Sequence, residues 1–94
     1  MSEPERQLPE VADVLVSTAA SLVNLAGIRL TEQDHKDPAQ AKEAIDAARA
    51  LLPLLPEEAV APIKDGLSQV QMLYVKETDE RAKARSKIWT PGSE

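Results

Sequence analysis

Apolar positions fall along this chain in three blocks of different character. From Val14 to Ile28, fifteen residues pass without a charge. Placed on a helix at about 100° per residue, Val11, Val14, Leu15, Thr18, Ala19, Leu22, Val23, Leu25 and Ala26 cover well over half the circumference. Asp13, Ser17, Ala20, Ser21 and Asn24 leave only a thin polar stripe. A helix this apolar expects protein on more than one side. The run falls short of the ~20 apolar residues of a membrane span, and it carries Ser17, Thr18, Ser21 and Asn24. Packing and self-association are therefore expected rather than insertion.

Helix one is expected to begin at about Pro9, a residue suited to the first helical position, with Glu10 and Asp13 favourably placed at the N-terminus. It is expected to stop at Gly27, which can supply a left-handed C-terminal residue, with Ile28 as the apolar contact after it. Residues 29–37 then read as a polar loop.

The second block has a clear helical period. Ala41, Ala44, Ile45, Ala48, Leu51, Leu52 and Leu55 recur at spacings of three and four, while Lys42, Glu43, Asp46 and Arg49 take the outer face. Asp37 is a good N-cap, Pro38 fits the first helical position, and Gln40 stands where a capping box wants it. The helix is expected to end near Leu52, before Pro53.

After the apolar connector Leu51–Pro56, Glu57 and Glu58 look like the first turn of a third helix. Pro62 interrupts it, because a proline inside a helix removes a backbone bond at a cost of ~3 kcal/mol. Either the helix kinks there or a short turn at 57–61 precedes a helix starting at Pro62, and the second arrangement is the one expected. Val60, Ile63, Leu67, Val70, Leu73 and Tyr74 give its core seam, with Met72 and Val75 as a second flank. Beyond Lys76 the segment is charged, and Glu77–Arg81 and Asp79–Lys83 have the favourable i,i+4 order.

The chain thus reads as all-α: a three-helix antiparallel bundle or hairpin, helices at about 9–27, 38–52 and 62–85, the third long, completed by dimerisation through helix one. A leader at 1–8 and a tail at 86–94 flank a single helical domain over 9–85. Ninety-four residues leave no room for a second core. The apolar 43% is almost purely aliphatic, with no Phe, one Tyr and one Trp. The absence of cysteine excludes disulfides and zinc–thiolate sites. The acidic start lacks a basic segment leading into an apolar one, so a secretory signal is not expected and a cytoplasmic location is.

Three segments together resemble a known family: Leu15-Val16-Ser17-Thr18-Ala19-Ala20-Ser21-Leu22-Val23-Asn24-Leu25-Ala26-Gly27; His35-Lys36-Asp37-Pro38-Ala39-Gln40-Ala41-Lys42-Glu43-Ala44-Ile45-Asp46; and Leu67-Ser68-Gln69-Val70-Gln71-Met72-Leu73-Tyr74-Val75. In order and spacing they are similar to the small bacterial family catalogued as domain of unknown function eighteen-forty-four. The likeness spans roughly residues 11–76 and rests on helix-packing patterns. It implies a bacterial, helical, cytoplasmic domain and carries no activity with it.

No residue set spells out a reaction. His35 is the only histidine, and the carboxylates of Glu32, Asp34 and Asp37 around it are irregularly spaced, so it reads as a loop side chain rather than a metal ligand. Glu57 and Glu58 suit a helix N-terminus better than an acid/base pair with Asp65. Ser17, Ser21 and Ser68 have no base placed beside them, and the three glycines are isolated. Gln69 and Gln71 read as exposed helix formers. No catalytic residue, metal or cofactor is expected.

Two features suggest contacts. Ser17, Ala20, Ser21 and Asn24, with Gly66 and Ser68, are small enough to let helix axes approach closely. The interface candidates on helix one are Val14, Leu15, Thr18, Ser21, Leu22 and Leu25. Charge supplies the second feature: residues 1–80 hold 15 acidic and 7 basic side chains, a balance of −8, whereas 81–94 hold 4 basic and 1 acidic, a balance of +3. The acidic body disfavours a broad phosphate-binding surface. Arg81, Lys83, Arg85, Lys87 and Trp89 are the tail candidates for meeting a partner or nucleic acid. The expectation is a self-associating binding or regulatory module, a homodimer with a further protein partner and no membrane. A nucleic-acid or ribosome-associated accessory protein using the basic C-terminal segment is the alternative.

Overall fold

The computed structural model describes residues 8–88 of the chain, and its order is helix, 3-10 turn, helix, 3-10 turn, helix. Helix α1 spans Val11–Thr31, α2 spans Pro38–Leu51 and α3 spans Glu57–Ile88, with 3-10 turns at Gln33–His35 and Leu52–Leu54. All three helices pack against one another, and no strand occurs among the described residues. The all-α, three-helix expectation holds.

Helix α2 follows its local signals closely. The Asp37 carboxylate accepts the Gln40 backbone N–H at 3.2 Å, satisfying one of the free donors of the first turn. The reciprocal half of a capping box is taken over by tertiary structure: the Asp37 N–H donates to the Arg29 carbonyl at 2.8 Å. Ala41, Ala44, Ile45 and Ala48 are buried. Four small or medium residues on one face allow α1 and α3 to lie close to α2, and Ala19, Ala26 and Leu30 of α1 meet Ile63, Leu67 and Val70 of α3 in the same core.

Helix α1 departs from expectation at both ends. Pro9 precedes the N-cap Glu10 rather than opening the helix. Gly27 does not end it: no described residue has a positive φ, and the helix runs a further turn to Thr31, whose hydroxyl donates to the Gly27 carbonyl at 2.8 Å. The reason is packing. Leu30 continues the stripe of Ala19 and Ala26 and is buried with them, so the extra turn adds core surface.

Helix α3 is continuous from Glu57, and Pro62 lies within it. The expected short turn at 57–61 followed by a separate helix is therefore corrected. Pro62 deprives the Glu58 carbonyl of its donor, but both residues are exposed, so water can take the missing place. Ile63, one position on, is buried and holds the helix to the core. Along the expected seam, Ile63, Leu67 and Val70 are buried and Val60, Leu73 and Tyr74 half-buried. Met72 and Val75, expected as a second core flank, instead stand 72% and 63% exposed.

One ion-pair cluster ties the far end together. Glu77 accepts from Arg81 at 2.9 Å and from Lys36 at 3.2 Å, linking α3 to the segment that leads into α2. These contacts hold its carboxyl below the usual glutamate range, the Arg81 hydrogen bond first and the Lys36 bond second. Because Lys36 meets α3 at Glu77, the last turns of α3 run on past the hairpin of α1 and α2.

Candidate functional site

The six interface candidates on α1 separate into two groups. Leu15 and Leu22 are half-buried against the protein's own core. Val14 and Leu25 are 45% and 43% exposed, and Thr18 and Ser21 lie in solvent beside them. Val11, at 74%, extends the same line.

Helix geometry shows why so apolar a helix ends up half bare. At about 100° per residue, buried Ala19, Ala26 and Leu30 share one direction, and the polar stripe of Asp13, Ser17, Ala20 and Asn24 lies about 130° round from it on one side. Val11, Val14, Thr18, Ser21, Leu25 and Ile28 occupy a third sector about 130° round on the other side, its last member Ile28 half-buried at the edge of the α1–α3 groove. Their spacing of three, four, three, four, three is a heptad seam. A three-helix bundle covers only the first sector of α1, and the third is left as an apolar strip with a hydroxyl pair at its centre. Thr18 already spends its proton on the Val14 carbonyl at 2.8 Å.

Of the small residues expected to let helix axes approach, Gly66 does so and the others do not. Ser17, Ala20, Ser21, Asn24 and Ser68 are all exposed, and the close approach is made by the glycines. A Cβ on Gly66 would stand 3.0 Å from Val23 Cγ1, and one on Gly27 would stand 3.9 Å from Val70 Cγ1. The groove over this α1–α3 crossing is rimmed by Asn24, Thr31 and Gln69.

His35 sits in the 3-10 turn after α1 with its side chain exposed. Its carbonyl accepts from Arg29 Nη1 at 3.2 Å, and its N–H donates to the Glu32 carbonyl, so its backbone helps shape the turn before Asp37. Among the described residues, no three His, Asp or Glu side chains converge to hold a metal ion. Glu57, Glu58 and Asp65 are exposed along the start of α3.

On the C-terminal segment, Arg81 pairs with Glu77 and Lys83 with Asp79 at 3.7 Å, both in the expected i,i+4 order. The side chains of Arg85 and Lys87 and the whole of Trp89 lie outside the described residues. A third exposed pair, Lys42 and Asp46, meets at 2.8 Å; their hydrogen bond raises the lysine pKa and lowers that of the aspartate.

Sequence reasoning missed the apolar patch on α3 formed by Met72 and Val75 with Ser68, Gln71, Lys76 and Asp79 around it. Its signal was present: residues 68, 72, 75 and 79 form their own four-three-four line beside the core seam. The length estimate for α1 also changes. Because the helix crosses Gly27, it reaches 21 residues and holds an 18-residue stretch with a mean hydropathy of 1.7, long and apolar enough to cross a membrane by length and composition. No protein-family model matches this chain, nor does any curated protein or solved structure compared with it.

Proposed function

We propose that the protein is a self-associating binding or regulatory module, a homodimer joined through the open sector of α1. The observation that supports it most is the exposure of Val11, Val14 and Leu25 on the most apolar helix of the chain. A domain this small buries a limited share of its surface, and pairing two such strips removes apolar area from water at ~25 cal/mol per Å². The domain works by contact, with no reaction assigned to it, and acts in the cytoplasm with a further protein partner. Membership of the bacterial family of unknown function eighteen-forty-four is part of this proposal and adds no activity to it.

Membrane insertion would require α1 to leave the bundle, stripping Ala19, Ala26 and Leu30 from their partners and carrying Asp13 and Arg29 into lipid. Pairing within water keeps both arrangements intact. The basic-tail alternative has weaker support, since Arg81 and Lys83 are already engaged with carboxylates on their own helix.

Light scattering at micromolar concentration is expected to report about twice the 10.2 kDa chain mass. Val14→Asp and Leu25→Asp are expected to give folded monomers, because these side chains face outward. Leu22→Asp serves as the contrast: it places a charge against the protein's own core and should lower helicity as well as mass. A wild-type monomer that persists at high concentration would overturn the proposal.

A further inference from the structure

We infer, resting on the α1 homodimer proposed above, that the two α1 helices pair antiparallel, with the symmetry axis passing between Thr18 and Ser21. Three independent features of the strip point the same way.

The first is register. In an antiparallel pair centred there, Val11 meets Ile28 of the second copy, Val14 meets Leu25, and Thr18 meets Ser21. Each apolar layer thus joins a smaller β-branched side chain to a larger one, filling space more evenly than Val14 on Val14 and Leu25 on Leu25. The second is hydrogen bonding at the central layer. The Thr18 hydroxyl donates within its own helix, to the Val14 carbonyl, so toward a partner it can only accept. Ser21 can supply the donor. Antiparallel pairing sets Ser21 against Thr18, donor to acceptor, twice over; parallel pairing would set Thr18 against Thr18, two hydroxyls whose protons are already used.

The third is charge. The only charged residues within α1 are Asp13 in its first turn and Arg29 in its last, and Arg29 donates to the His35 carbonyl of its own chain, so the helix dipole is the charge that decides. Antiparallel pairing opposes the two helix dipoles, whereas parallel pairing would align them.

The chain has no cysteine, so crosslinking at introduced thiols reads the geometry directly. Facing positions across a helix pair come within disulfide range. A mixture of V14C and L25C proteins is expected to form a mixed disulfide at least tenfold faster than either protein forms its own.

Rapid self-crosslinking of V14C and of L25C, each faster than the mixed pair, would establish parallel pairing and overturn this inference while leaving the α1 dimer standing. A dimeric wild type in which neither thiol crosslinks in any combination would overturn it by locating the interface elsewhere. A monomeric wild type would instead remove the proposed function itself.

Discussion

Gly66 of α3 lies so close to Val23 of α1 that a Cβ on the glycine would stand 3.0 Å from the valine Cγ1, inside ordinary contact distance. At Gly27, the equivalent atom would stand 3.9 Å from Val70 Cγ1, an ordinary contact. Two glycines in the interior of two helices therefore have different reasons to be there.

Alanine substitution separates them. Gly27→Ala is expected to stabilise the fold by about 1 kcal/mol through helix propensity, because nothing blocks the new methyl. Gly66→Ala carries the same gain against an overpacking cost of similar size, so its net effect should be close to zero. In a Val23→Ala background the obstacle is gone, and Gly66→Ala should then stabilise by about 1 kcal/mol. Urea titrations of the four proteins of that cycle check this. A destabilising Gly27→Ala would show that α1 and α3 pack against each other too closely there to admit a methyl group.

The start of α2 depends on one side chain. Asp37→Ala is expected to cost about 1 kcal/mol by freeing the Gln40 N–H. His35→Ala should be much milder, since its structural contacts come from the backbone. Thermal melts with added zinc or nickel should not shift. A large metal-dependent rise would restore His35 as a ligand.

Glu77 gives the fold an acid-sensitive element. Its carboxyl is held below the usual glutamate range by Arg81 and then Lys36. Its contribution to stability is therefore fully present above that usual range and is lost as pH falls through the lowered value in the fold. Glu77→Gln is expected to flatten the acid limb of stability against pH and to lower stability by about 1 kcal/mol at neutral pH. Measuring unfolding from pH 7 to pH 3 tests both parts. An unchanged acid limb would show that other carboxylates control it.

Pro62 sits in α3 against its own preference. Pro62→Ala returns a donor to the Glu58 carbonyl, worth ~3 kcal/mol in a helix interior, less about 1 kcal/mol for a freer unfolded chain. A net gain of about 2 kcal/mol in chemical denaturation is expected, with the helical content of 57–88 unchanged. Loss of stability would mean that the proline ring makes contacts its exposure does not suggest.

The sequence alone determined the features whose physics closes within a turn or two of helix. Asp37, Pro38 and Gln40 set the start of α2 because a cap bond spans only three residues. The three-and-four spacing of Ala41, Ala44, Ile45 and Ala48 marked its buried face, and Glu77–Arg81 and Asp79–Lys83 met because i,i+4 neighbours share a helix surface. Tertiary structure decided the cases in which one residue type has two uses. Gly27 can end a helix or lie inside one, and the burial of Leu30 one turn later selects the second. Pro62 can start a helix or interrupt one, and the exposed Glu58 carbonyl together with buried Ile63 makes interruption tolerable. Likewise, an apolar arc wider than one partner needs does not say which part that partner will cover. Leu15 and Leu22 turned toward the core while Val14 and Leu25 stayed in water, because the position of α2 and α3 around α1 is set by all three helices at once.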